Sequence, residues 1–264
     1  MNLRGGALEC LKNTDALAKS LKINTIFNSI NNGTIIVDPT EIFNKELFSL
    51  GRPSKPELVE PFNVKRRSMA SFEGRASLVH ALAHIEFNAI NLSLDAVWRF
   101  SNMPEEFYIN WFTVAKEEAH HFNLLNEYLI KKKYCYGDFS AHNSLWEMVE
   151  KTSEDILARM ALVPRTMEAR GLDAIPAIRG RFFQAKDLEL VNILDLILQD
   201  EVSHVYIGNY WFNYLCVERK IDPIKTYKIL AKAYNAPTLR GPLNMEARLK
   251  AGFTQHELDE LVKT

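Results

Sequence analysis

Cysteine is scarce in this chain: Cys10, Cys135 and Cys216 are odd in number, far apart, and form no CxxC pair. That pattern excludes a disulfide framework and offers neither a zinc site nor a redox dithiol, so a reduced, cytoplasmic setting is expected. No stretch approaches the roughly 20 consecutive apolar residues of a membrane span. The opening MNLRGGALECLKNTDALAKS carries scattered charges and lacks the apolar core of a secretory signal. Neither sign of charge dominates: Lys plus Arg total 32 against 33 for Asp plus Glu, a formal charge of -1. No global field therefore draws the protein to nucleic acid or to a membrane, and neither is an expected partner. Alternating strand pattern is nearly absent, appearing only around Thr34 to Val37.

What the chain does have is helical period. Its 264 residues, 47% of them hydrophobic, suffice for a sizeable core. Four long amphipathic stretches, 75–99, 105–131, 143–171 and 186–219, are separated by breakers at Met103-Pro104, Gly137-Asp138 and Ile175-Pro176. They predict an all-α fold with a four-helix bundle over 75–219. Residues 1–50 hold short helical patterns broken by Asn31-Asn32-Gly33 and Asp38-Pro39, and read as an N-terminal helical appendage. In 51–74, prolines at 53, 56 and 61 and the basic run Lys65-Arg66-Arg67 leave no amphipathic period, which predicts an extended connection. Residues 220–264 read as shorter bracing helices. One is announced by Asp222-Pro223, an N-cap with proline at the first helical position, another by the capping box of Thr254 with Glu257.

Glutamate precedes histidine by three residues at Glu117/His120, Glu118/His121 and Glu201/His204. On a helix this spacing puts a carboxylate and an imidazole on one face, within reach of one metal ion or a pair. The stripe Trp111, Val114, Glu118, His121, Leu125, Leu129 is apolar, whereas Thr113, Glu117, His120, Leu124, Glu127 is more polar, so Glu118 and His121 are predicted to face inward. Leu190, Leu194, Ile197, Glu201, His204, Gly208 and Trp211 form a second such stripe. A di-metal bundle also takes one Glu from each of the other two helices. Glu86 lies on the apolar stripe Val79, Leu82, Ala83, Ile90, Val97, where an unpartnered carboxylate would cost several kcal/mol. Glu168 follows Leu157, Met160, Ala161 and Pro164, with Glu154 in reserve because Gly171 is a plausible C-cap and the helix dipole there disfavours an anion. From Glu86 to Glu118 is 32 residues and from Glu168 to Glu201 is 33, as a duplicated helix pair would require. Pro164 is expected to kink its helix and open room near the site.

The segments HALAHIEFNAINLSLDAVWRF, FYINWFTVAKEEAHHFNLL, RMALVPRTMEARGLD and LQDEVSHVYIGNYWF resemble the DUF455 family of ferritin-like proteins, from about Gly51 to Phe253. The resemblance implies a ferritin-like di-metal bundle with Glu86, Glu118, His121, Glu168, Glu201 and His204 at the matching positions, and no established reaction. His80 and His84 are expected either to support the ligands as hydrogen-bonding neighbours or to pack in the core, and His120 is a further candidate for such support. Arg159, Arg165 and Arg170 are candidates to grip a phosphate or carboxylate of a substrate, or equally to partner nearby Glu and Asp residues. Carboxylate and imidazole suit two divalent transition-metal ions, iron first and manganese second. The expected function is oxidation or hydroxylation of a small organic molecule with O2, electrons coming from a reductase. Alternatives are a ferroxidase or peroxide-detoxifying protein and a metal-free helical scaffold, with zinc hydrolysis more distant. The extensions at both ends suggest lids or the surfaces of a homodimer.

Overall fold

Helices form the regular structure of the computed structural model, which describes residues 2–45, 48–239 and 241–262. No strand occurs among the described residues. The alternating pattern near Thr34 to Val37 yields one isolated bridge, Asn2 with Ile36, and a second joins Leu58 to Ala141. The chain is therefore all-α, and it divides into two compact units, Met1–Trp146 and Glu147–Thr264.

The first unit holds α1 (Leu3–Lys12), α2 (Ala16–Asn31), α3 (Phe72–Arg99) and α4 (Glu105–Lys131). Side chains set three of the four starts: Asn2 accepts from the Arg4 N–H, Asp15 from Ala18 and Ser71 from Gly74. The fourth, α4, begins after Pro104 with Glu105 and Glu106 in its first turn, where the positive end of the dipole favours them. Packing runs α1 on α3, α3 on α4, α4 on α2 and α2 on α1. Residues 1–50 thus contribute two helices to a closed ring. Leu3, Ala7, Cys10, Leu11 and Ile23 are fully buried there. Two buried cations fasten the ring. The Arg4 guanidinium donates to the Val97 and Trp98 carbonyls at 3.3 and 2.8 Å, taking up acceptors that the last turn of α3 cannot use itself. Lys19 Nζ donates to Asn91 Oδ1 at 2.5 Å and to the Gly51 carbonyl at 3.0 Å, and lies 4.8 Å from the centre of the Phe87 ring. Burial pushes the Lys19 ammonium down to about 7.

The expected connection at 51–74 is irregular except for a 3-10 turn at Pro61–Asn63, and α3 opens within it at Phe72. The division between units falls inside α5 (Ser144–Lys151). The second unit continues with α6 (Ile156–Leu162), a π-helical segment (Val163–Glu168), α7 (Ala169–Gln184), α8 (Leu188–Glu218), α9 (Pro223–Ala233), α10 (Met245–Lys250) and α11 (Gln255–Val262). The predicted single helix 143–171 is therefore corrected: it is broken between α5 and α6, widened at Pro164, and continued well past Gly171. The predicted breaker Ile175-Pro176 is likewise inside α7. Proline there withholds an N–H from the Leu172 carbonyl, and Asn244 Nδ2 supplies the missing donor at 3.1 Å. Downstream, Asp222 accepts from the Lys225 N–H with Pro223 at the first helical position. The Thr254 N–H donates to Glu257 Oε2 at 2.8 Å while the Glu257 N–H donates to Thr254 Oγ1 at 3.2 Å, a reciprocal capping box.

Candidate metal centre

In the first unit, α3 and α4 bring Glu86, Glu118 and His121 together. All three are buried, with His121 and Glu118 wholly removed from solvent, and each presents a ligand atom within 4.8 Å of the others'. His121 Nδ1 stands 3.4 Å from Glu118 Oε2 and 3.5 Å from Glu86 Oε2. These separations are long for an N–H···O bond, whose usual range is about 2.7–3.2 Å. They suit atoms sharing an ion, since two ligands each about 2.1 Å from a metal lie roughly 3.0–3.4 Å apart at right to tetrahedral angles. Two carboxylates and one neutral imidazole also balance the charge of a divalent cation. This buried cluster could hold a metal ion.

The register is settled by burial. Trp111, Val114, Leu125 and Leu129 are buried with Glu118 and His121, whereas Glu117 is only partly buried and His120 is exposed. The exposed His120 ring lies 6.5 Å, centre to centre, from that of buried His121. His80 and His84 are buried on α3, but their recorded hydrogen bonds do not involve the carboxylates. His80 Nε2 accepts from the Gly137 N–H at 2.8 Å. His84 Nδ1 meets the Tyr136 hydroxyl at 2.8 Å, and His84 Nε2 meets the Asn88 amide at 3.0 Å. Both rings stack on Tyr136. They pin the 134–142 segment against α3, and burial lowers both imidazoles to about 4, which keeps them neutral at ordinary pH.

In the second unit, α8 buries Glu201 and His204, with His204 Nδ1 3.7 Å from Glu201 Oε1. Glu168 ends the π-helical segment and is buried, whereas Glu154 is exposed in the turn between α5 and α6. Because helix continues through α7, Glu168 does not sit at a C-terminus, and the dipole objection raised by Gly171 disappears. Glu201 Oε2 comes within 4.0 Å of where a Cβ on Gly171 would stand, so the carboxylate reaches the first turn of α7. The π-helical widening has a visible cause. Pro164 supplies no N–H, the Ala169 N–H reaches back five residues to the Pro164 carbonyl, and Thr166 Oγ1 donates to the Ala161 carbonyl at 2.8 Å. Gly208 of α8 makes room for it: a Cβ there would fall 2.6 Å from Pro164 Cγ and nearer still to Pro164 Cβ.

The three arginines part company. Arg159 donates to Thr152 Oγ1 at 2.8 Å and to the Val149 carbonyl at 2.6 Å, joining the end of α5 to α6. Arg170 is exposed. Arg165 is buried and bonded to Asn209 Oδ1 at 2.6 Å and Glu257 Oε1 at 2.5 Å. Glu257 lay in the sequence as a capping residue only. Its second role as the counter-ion of a distant arginine has no local signal.

Fold and cluster define an all-helical protein with a buried carboxylate–imidazole group fit for a metal ion. The chain belongs to the family described as Protein of unknown function (DUF455), whose model matches residues 12–259. The match begins well before Gly51, so the likeness covers most of the N-terminal region that the motif segments left out. An uncharacterized protein of Haemophilus influenzae is 52% identical over 214 residues, covering 78% of this chain and 74% of that one. No solved structure matches. Among the described residues, no helix is long and apolar enough to cross a membrane.

Proposed function

We propose that the protein is a non-haem di-metal oxidoreductase of the ferritin-like kind. Glu86, Glu118, His121, Glu168, Glu201 and His204 together hold two divalent transition-metal ions, with iron preferred and manganese next. The observation that carries this is the buried group of Glu86, Glu118 and His121, with ligand atoms within 4.8 Å of one another. The same residue types recur, at nearly the same spacing, in Glu168, Glu201 and His204. Burying two carboxylates against apolar neighbours costs several kcal/mol unless a cation compensates them.

When bound, such ions supply electrons to O2 and so allow oxidation or hydroxylation of a small organic molecule, with a reductase restoring them. The chain's own contribution is positional. His121 Nδ1 and His204 Nδ1 face the carboxylates of their own motifs. Buried Ile90, one helical turn after Glu86, and buried Leu125, one turn after His121, keep the ligand-bearing faces apolar, which excludes water and strengthens the hold of each carboxylate on a cation.

Elemental analysis of protein purified without chelators, with absorption spectra before and after dithionite, tests the assignment. About two irons per chain are expected. Glu118→Ala and Glu201→Ala are each expected to lose at least half the metal, and Glu117→Ala none. Absence of metal even after reconstitution with Fe(II) or Mn(II) refutes the proposal in favour of a scaffold. Rapid O2 uptake with Fe(II) and no organic substrate would point instead to a ferroxidase.

A further inference from the structure

A cavity of about 340 Å³ lies in the second unit, lined by Arg165 of the π-helical segment, by Ile224, Tyr227, Lys228 and Lys232 of α9, and by Leu239 beyond it, with Glu257 and Glu260 of α11. That volume is within the range of small-molecule sites. Its floor is rigid. The Arg165 guanidinium is boxed by the rings of Phe212, Tyr227 and Phe253 at 5.0, 5.4 and 4.7 Å, and is held by Asn209 and Glu257. Its buried Nε–H finds no acceptor among the described residues. Thr166 Oγ1 spends its proton on the Ala161 carbonyl, so the Tyr227 hydroxyl donates to Thr166 at 3.0 Å, which fixes the ring as one wall.

The charges of the lining nearly cancel. Arg165 pairs with Glu257 and Lys228 with Glu260, each at 2.5 Å. Lys232 lines the same cavity one turn along α9 from Lys228, and no carboxylate partners it among the described residues. An apolar chamber with one uncompensated positive charge selects a ligand of matching build.

We propose that this cavity binds a small amphipathic monoanion, an apolar or aromatic body carrying one carboxylate, sulfonate or phosphate ester. The body lies against Tyr227, Ile224 and Leu239, and the charge is met by Lys232. This site needs no bound metal.

A matched pair of fluorescent probes tests it on the full chain: 8-anilinonaphthalene-1-sulfonate, and N-phenyl-1-naphthylamine, which has the same aromatic skeleton without the sulfonate. The anionic probe is expected to bind saturably, one per chain. Lys232→Glu should weaken it about tenfold while changing the neutral probe less than twofold. Lys232 is exposed on α9, so this variant is expected to fold. Ala231→Trp, which fills the cavity, should abolish both signals, with circular dichroism confirming native helix content. Lys225→Glu, on the same helix outside the lining, should change neither. Non-saturable binding, equal weakening of both probes by Lys232→Glu, or an unchanged signal in a folded Ala231→Trp would overturn the proposal.

Discussion

Gly208→Ala adds one methyl group where α8 meets the π-helical turn, and the structure sets its consequence. The new Cβ would stand 2.6 Å from Pro164 Cγ, and closer to Pro164 Cβ. Carbon pairs prefer about 3.5–4.0 Å, so helix and turn must separate by roughly 1 Å. Neither side yields easily: the proline ring is rigid, and Gly208 lies mid-helix beside buried Asn209, Trp211 and Phe212. Overpacking of this kind typically costs about 1–3 kcal/mol. The displacement would also reach the proposed ligands, because His204 is one turn before Gly208 and Glu168 is one turn after Pro164. Urea denaturation should therefore show a loss of about 1–3 kcal/mol, and metal content should fall with it. Gly180→Ala is the control, since a Cβ at Gly180 meets nothing within 4 Å. Relief of glycine's helix penalty there should stabilise by about 0.4–1 kcal/mol. If Gly208→Ala loses less than about 0.5 kcal/mol and keeps its metal, the close approach of Pro164 to α8 does not position the site.

Lys19→Met should change how stability depends on pH. In the unfolded chain Lys19 keeps its proton up to its ordinary value of 10.5, while in the fold it releases it near 7. The unfolded state thus binds more protons between those limits, and the wild type gains stability over the variant as pH rises from about 7 to 10.5. The gap corresponds to on the order of 5 kcal/mol across the window; parallel urea profiles at pH 7 and pH 10 would refute it. Glu257→Ala should lose about 3–5 kcal/mol at pH 7, because it strands the buried Arg165 guanidinium and removes half of a capping box. Burial alone pushes the Glu257 carboxyl up, but Arg165 and Thr254 outweigh it and leave its pKa below the ordinary 4.5. Its stabilisation is therefore complete above pH 4.5 and fades as the pH falls below it, and the wild type should converge on the variant in acid melts. A difference that persists unchanged at pH 2 would count against the ion pair.

Much of this protein is written in local pattern. The bounds of α4 and nearly those of α3 and α8 follow from hydrophobic period and flanking breakers, because a helix face and its ends depend on residues three or four apart. The same period decides that Glu118, not Glu117, points inward, and it names Glu86, Glu201 and His204 as carboxylates and imidazole on apolar stripes. Tertiary structure decides what period cannot reach. Pro176 reads as a helix stop until Asn244, 68 residues later, supplies a donor to the Leu172 carbonyl. Pro164 becomes a π-helical turn only because Gly208 on another helix leaves space for it. Period leaves His80 and His84 as either neighbours of the proposed ligands or core histidines, and it does not reveal their hydrogen bonds with a loop about fifty residues on. Residues 1–50 look peripheral because their helices are short. Their place in the packed ring rests on Arg4 and Lys19 finding carbonyls and an amide on distant segments, and no local pattern encodes such partners.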